Sequence, residues 1–294
     1  GGASCALLLF LTLGTLGAIA SRADWETGLG ANDWTALRFT VFQAVLSATL
    51  SIGLAIPTAR ALARRQFWGR NALIMILGAP FILPVIVAIL GIVSVYGGRG
   101  ALSTLLGQMG LPPIDLYGLT GILLAHVFFN LPLATRLILQ GWLAIPSEQF
   151  RLADSLSFRP ADIQRHIEWP MLRNIVPPVF VVIFLICLTS FTVVLALGGG
   201  PKSTTIELAI YQAFKFDFDL GKAALLGVLQ FGICGLAGVA MIWLRLPQGQ
   251  GSGLDRALIR QDADTGFLRL LDGVILSLVA TFLLAPLISI FGRG

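Results

Sequence analysis

Residues 119–143, LTGILLAHVFFNLPLATRLILQGWL, form an unbroken run of 25 residues with one formal charge, Arg136. A helix of that length rises roughly 37 Å, enough to cross the roughly 30 Å hydrocarbon core of a bilayer. Lipid offers the backbone no hydrogen-bond partner, so every amide must be satisfied within the segment. For runs this long and continuous a helix is the structure that does so. Comparable runs fall at residues 5–20, 39–56, 72–96, 175–197, 223–244 and 267–291. The first is short and reads as an ordinary anchor, since no basic segment is in view ahead of it. Pro80 and Pro84 interrupt the third, which is expected to kink.

Composition agrees with an all-α, polytopic transmembrane bundle. Hydrophobic residues are 56% of the chain and charged ones 12%, with a mean hydropathy of +0.87, far from the values of a water-soluble domain. The net charge of +5 carries topology information and no nucleic-acid message. Twelve cations fall on one side of the alternating spans, among them Arg60, Arg64, Arg65, Arg70, Arg151, Arg159, Arg165 and Arg173, and seven on the other, among them Arg22, Arg38, Arg99 and Lys222. The richer side is expected to be cytoplasmic, which puts the N-terminus inside. Acidic residues such as Asp115, Glu207, Asp217 and Asp219 are assigned to loops, and no intramembrane carboxylate is expected.

Against this apolar background residues 145–170, IPSEQFRLADSLSFRPADIQRHIEWP, form a long polar island on the arginine-rich side. Ser147 with Glu148 reads as a helix start, Leu152 and Leu156 share a face with Ala153, and Pro160 is expected to end that helix. A second short helix over residues 161–169 presents Ile163 and Ile167 and is expected to stop at Pro170. Arg151, Arg159, Arg165 and Arg173 stand against Glu148, Asp154, Asp162 and Glu168, which suits a self-paired exposed surface. Such an island either lies on the bilayer surface or meets a partner.

Other candidate chemistry is sparse. Gly198-Gly199-Gly200-Pro201-Lys202-Ser203 fails as a phosphate loop, because Pro201 separates Gly from Lys and no strand precedes it; it reads as an outer turn. Residues 204–219 form either a short helix at the mouth of a path or a cap on the bundle. His126, Asn130 and Arg136 are polar groups in a span, consistent with a bundle interior or a water-filled path, with Arg136 expected to snorkel. Thr189, Ser190 and Thr192 line a path or allow close packing. Cys5, Cys187 and Cys234 read as small buried hydrophobes, and with His126 and His166 far apart no metal cluster or catalytic set is assembled.

The island resembles the coupling loop of ABC importer permeases, whose pattern is Glu-Ala-Ala, a later Gly, then Ile-x-Leu-Pro. Ala153, Ile167 and Pro170 fall in register, while Arg151 stands at the Glu position, Leu152 at the first Ala, Ser157 at the Gly and Trp169 at the Leu. Three longer stretches, YGLTGILLAHVFFNLPLATRLILQ, IEWP and SFTVVLALGGGPKSTTIELAIYQAF, resemble the thiamine ABC transporter permease family. That resemblance implies a type I ABC importer permease fold in a bacterial inner membrane, no cofactor, and no enzymatic activity of its own. The implied partners are a cytoplasmic ABC ATPase dimer, a periplasmic thiamine-binding protein and a second permease half of the same chain, with thiamine and its phosphates as cargo. Coupling to the ATPase is implied for Arg151, Leu152, Ala153, Leu156, Ser157, Ile167 and Pro170. Asn130, Ser190, Phe191 and Thr192 are candidates for the path, Phe191 by a cation–π contact.

The organisation expected is a first span with its outer loop (1–33), a permease domain (34–246) containing coupling helices at 147–169, a cytoplasmic linker (247–266), and the opening span of a second half (267–294) in a longer protein. A permease of the same class for ferric iron or a polyamine is the near alternative. An ion-coupled secondary transporter is the distant one, and it would need an intramembrane acidic residue.

Overall fold

The computed structural model describes residues 2–200, 203–244 and 266–291, and no strand occurs among them. The helices are α1 (Gly2–Ala20), α2 (Ala31–Arg64), α3 (Arg70–Ile76), α4 (Ala79–Ile82), α5 (Val85–Tyr96), α6 (Ala101–Gln108), α7 (Leu119–Leu143), α8 (Ser147–Ser155), α9 (Pro160–Ile163), α10 (Trp169–Leu188), α11 (Phe191–Leu197), α12 (Ile206–Lys215), α13 (Leu220–Trp243) and α14 (Gly266–Phe291). A five-residue π-helical stretch, Gln164–Glu168, joins α9 to α10. Among the described residues six helical runs are long and apolar enough to cross a membrane: Ala31–Arg64, Val85–Gln108, Leu119–Leu143, Pro160–Leu188, Leu220–Trp243 and Gly266–Ile290. In α1 the corresponding apolar stretch, Phe10–Ala20, is shorter.

The bundle is built on α2 and α7, which pack along their length, with α10 laid against both. Small residues make that approach possible. Ala44, Ser47, Ala48, Ser51, Ala55 and Ala59 of α2 are all buried, three or four residues apart on one face. On α7, a Cβ at Gly141 would overlap Ile175 Cδ1 of α10, so a larger residue there would force that side chain to shift. The last helix, α14, closes on α5 and α2, with Ser289 Oγ donating to the Gly91 carbonyl at 3.3 Å and Tyr96 Oη to the Phe282 carbonyl at 3.3 Å.

Contacts sort the helix ends into two layers, as the alternation of spans requires. At one end, the arginine end, Arg60, Arg64 and Arg65 gather with Glu168 and Asp272. At the opposite end Lys222 pairs with Asp33 at 3.1 Å, and the Ile206 N–H donates to Thr40 Oγ1 at 2.9 Å.

Several expectations need correction. The third apolar run is not one kinked helix but α3, α4 and α5, broken at Leu77–Gly78 and at Leu83–Pro84. Arg136 is half-buried, and its Nη2 donates to the Ile74 carbonyl at 2.9 Å and fills the space beside Gly78, satisfying backbone that the break releases. The stretch 97–118 contains α6. Pro160 does not end the first island helix, which stops at Ser155; it opens α9, where its missing N–H costs nothing. Pro170 does not stop the second, because the preceding π-helical stretch shifts the hydrogen-bond ladder and Pro170 sits in the first turn of α10. The fifth run breaks at Thr189–Ser190 into α10 and α11.

Carboxylates do lie inside helical spans. Asp272 of α14 is 1% exposed and takes Arg64 Nη2 and Arg65 Nε on its two oxygens, each at 2.7 Å. Outside the spans, Glu207 lies in the short helix α12 and is half-buried. The expected linker, apart from Gly266, lies outside the described residues, as do Pro201 and Lys202 of the glycine-rich turn and the side chain of Cys5.

Candidate functional site

The polar island folds as α8, α9 and the π-helical stretch. The backbone at the end of α8 turns through Ser157, which holds a positive φ of 54°. The Phe158 N–H reaches the Ala153 carbonyl at 3.0 Å and the Ser157 N–H reaches the Asp154 carbonyl at 3.0 Å, a helix-ending motif whose left-handed residue is usually glycine. A serine there stands in a strained conformation. Next, α9 starts with Asp162 Oδ2 accepting the Arg159 N–H at 3.0 Å.

Burial decides which face is which. Phe150, Ala153 and Ile163 are inside, whereas Leu152 (62% exposed), Leu156 (59%) and Trp169 (55%) face outward. Leu152 and Leu156 do share a face, but it is the uncovered one. Arg151, Ser157 and Pro170 are also exposed, and Ile167 is half-buried.

Glu168, placed among the solvent acids by sequence, is 1% exposed. Its Oε2 pairs with Arg60 Nη2 at 2.7 Å and its Oε1 accepts from Trp142 Nε1 at 3.2 Å. One carboxylate thus rivets the island to α2 and α7. On the surface, Arg151 and Glu148 pair at 2.8 Å, both largely exposed.

At the bundle centre Asn130 is 1% exposed and its Nδ2 donates to Cys187 Sγ at 3.2 Å; Ser47 Oγ and His126 Nδ1 lie 2.9 Å apart. The α10–α11 break is held from two sides. Gln43 Nε2 of α2 donates to the Cys187 carbonyl at 3.0 Å, and Gln230 Nε2 of α13 donates to the Leu188 carbonyl at 3.2 Å. Ser190, Phe191 and Thr192 beyond the break are half-buried, with the Phe191 ring 5.2 Å from that of Tyr211. Among the described residues His, Cys, Asp and Glu do not cluster as metal ligands.

Near the opposite end two cavities flank Tyr117. The larger, about 740 Å³, is bounded by Leu90, Ser94, Arg99 and the end of α14; the smaller, about 360 Å³, by Asp115, Gly198, Gly199, Gly200 and Ser203.

No family model matches the chain. Over 89% of its length it is 47% identical to the thiamine transport system permease protein ThiP of Escherichia coli, covering 49% of that protein. It is 42% identical to ThiP of Salmonella typhimurium over 99% of its length, and 40% identical to ThiP of Haemophilus influenzae over 86%, covering 55% and 47% of those proteins. Over the matched stretch the chain is similar to thiamine transport permeases. It spans about half the length of these relatives. A solved structure, a bacterial alginate ABC transporter in complex with an alginate pentasaccharide-bound periplasmic protein, matches with a TM-score of 0.65 over 83% of this chain and 90% of that chain. At 15% identity that likeness speaks to fold alone, and the fold is that of an ABC importer permease.

Of the island residues, the structure leaves Arg151, Leu152, Leu156, Ser157 and Pro170 exposed, half-buries Ile167 and buries Ala153. It does not bring Asn130 and the Ser190–Thr192 segment into either cavity beside Tyr117. Sequence reasoning missed Glu168, Gln43, Gln230 and Asp272, whose roles depend on partners far away in the chain. A polar residue inside an apolar run was the available signal for Gln43 and Gln230.

Proposed function

We propose that this chain is the first half of the permease subunit of an ATP-driven, binding-protein-dependent importer of thiamine and its phosphates in a bacterial inner membrane. Its N-terminus and arginine end face the cytoplasm, residues 34–246 form one permease unit, and residues 267–294 open the second. Its partners are a cytoplasmic ABC ATPase dimer, a periplasmic thiamine-binding protein and the second permease half. The observation that carries the reading is an island that leaves the apolar side chains of Leu152, Leu156 and Trp169 uncovered while the buried Glu168 fixes it to the bundle. A surface loop lying idle on lipid needs no such rivet.

The chain's own geometry supports the following mechanism. Arg151, Leu152, Leu156 and Ser157 meet the ATPase, while Ala153, Ile167 and Pro170 hold the island's shape. The helical run Pro160–Leu188, 29 residues and roughly 43 Å long, carries the displacement to the Thr189–Ser190 break. There Ser190, Phe191 and Thr192 line the path and Asn130 braces its wall through Cys187. Rigid spans turning about such a break convert closure of the ATPase into alternating access. An ion-coupled mechanism is disfavoured because Asp272 and Glu168 are both closed in by arginine.

The test is uptake of radiolabelled thiamine into proteoliposomes holding the full-length permease, its ATPase and the binding protein, with ferric iron and polyamine run beside it. Thiamine uptake lost without the binding protein is expected. Uptake of another cargo would sink the substrate assignment, and uptake driven by an ion gradient without ATP would sink the class.

A further inference from the structure

Tyr117 is 59% exposed, yet the backbone around it is fixed. Its own N–H donates to Asp115 Oδ1 at 3.0 Å, the Gly118 N–H donates to the Leu197 carbonyl at 2.8 Å, and Leu116 beside it is 2% exposed. Gly118 and Gly199, at φ 79° and 68°, turn the two chain segments past each other here, and a Cβ on Gly199 would press on Tyr117 Cβ at 2.9 Å. The ring itself makes no stacking contact and its hydroxyl no hydrogen bond among the described residues. It stands between cavities of about 740 Å³ and 360 Å³, within the range that takes a small organic molecule. Arg99 lies on one side and Asp115 on the other.

We propose that Tyr117 is the stacking platform for a cationic heteroaromatic ring at the outer mouth of the path, with Asp115 and Arg99 reading the charge of the cargo on its two sides. This rests on the thiamine-import reading above and adds the residues that select among its cargo forms. A phenol face attracts a cationic ring and stacks on any planar one. A carboxylate on the rim favours the cation, and a guanidinium favours a phosphate carried by the same molecule. The competing role, a tyrosine anchored at the headgroup level of the bilayer, asks nothing of the cargo.

The experiment uses the full-length permease with its ATPase in proteoliposomes, with the binding protein and either thiamine or thiamine diphosphate supplied outside. Tyr117→Leu is expected to lower thiamine uptake roughly tenfold and Tyr117→Phe to restore most of it, because the ring face is the working part. Arg99→Gln is expected to lower the diphosphate-to-thiamine uptake ratio and Asp115→Asn to raise it. A ratio measured within one preparation is indifferent to how much permease folds. Wild-type import with an unchanged rate in Tyr117→Leu, or with unchanged ratios in both charge variants, would overturn this inference alone. No thiamine import by the wild type would overturn the reading it rests on.

Discussion

Replacing Glu168 by Ala removes a side chain that ties the island to two spans at once. The Glu168 side chain is 1% exposed and the Arg60 side chain 21%, with 2.7 Å between carboxylate and guanidinium. Breaking a buried ion pair from one side costs about 3–5 kcal/mol, because the remaining charge keeps its desolvation penalty without its partner. Partial water access to Arg60 moves the expectation to the low end. The Trp142 N–H, on a ring with no exposure, also loses its acceptor, for about 1–3 kcal/mol. The two losses share one carboxylate and do not add fully, so Glu168→Ala should cost about 3–4 kcal/mol. Glu168→Gln keeps an acceptor for Trp142 and should cost roughly half as much. The assay is reversible unfolding of the full-length permease in mixed micelles, with Arg60→Ala and the double variant completing a cycle. A Glu168→Ala loss under about 1 kcal/mol, or a coupling energy with Arg60 near zero, would refute the rivet.

Three further perturbations probe other parts of the account. Ser157→Gly should stabilise by about 0.5–1 kcal/mol in the same unfolding assay, because glycine accepts the positive φ of 54° that serine resists; destabilisation would mean the turn differs. Gly141→Ala should cost about 1–3 kcal/mol by driving a methyl into Ile175 Cδ1, and Ile175→Val in the same chain should recover part of it; strictly additive losses would contradict the close α7–α10 crossing. Burial holds the Glu207 carboxyl above its ordinary pKa, so the folded protein binds that proton more tightly than the unfolded chain does. Its contribution to stability is present below the unfolded pKa and is lost as pH rises through the folded one. Glu207→Gln should therefore flatten the pH dependence of the melting temperature from the acidic side towards neutrality, and an unchanged slope would count against it.

The spans were legible because lipid leaves the backbone one solution. The expected run 119–143 is the helix observed, and the runs at 223–244 and 267–291 differ by a few residues from Leu220–Trp243 and Gly266–Phe291. Breaks were harder. Pro80 and Pro84 announced a disturbance in the third run but not its division into three helices, and nothing local marks Thr189–Ser190 as an interruption. For the island, an apolar pair at i, i+4 says that Leu152 and Leu156 share a face but not whether that face is covered; Phe150 and Ala153 cover the other. Glu168 was misread because its arginine partner lies more than a hundred residues away, whereas Asp272 stands inside the apolar run 267–291 and was legible there as an intramembrane carboxylate. Pro170 was misread because a π-helical stretch, which accommodates it, has no simple sequence pattern. The Ser157 position was the opposite case, since the serine in place of glycine lies where the backbone turns left-handed.

In the proposed mechanism the island's uncovered face transmits ATPase closure to the path. The direct measurement is the number of thiamine molecules imported per ATP hydrolysed by the reconstituted complex, for the wild type and for Leu156→Asp. Leu156 is 59% exposed, so a charge there should leave stability within about 0.5 kcal/mol of the wild type. The account predicts that the ratio falls at least tenfold in Leu156→Asp while the permease remains folded. A ratio equal to that of the wild type would contradict it.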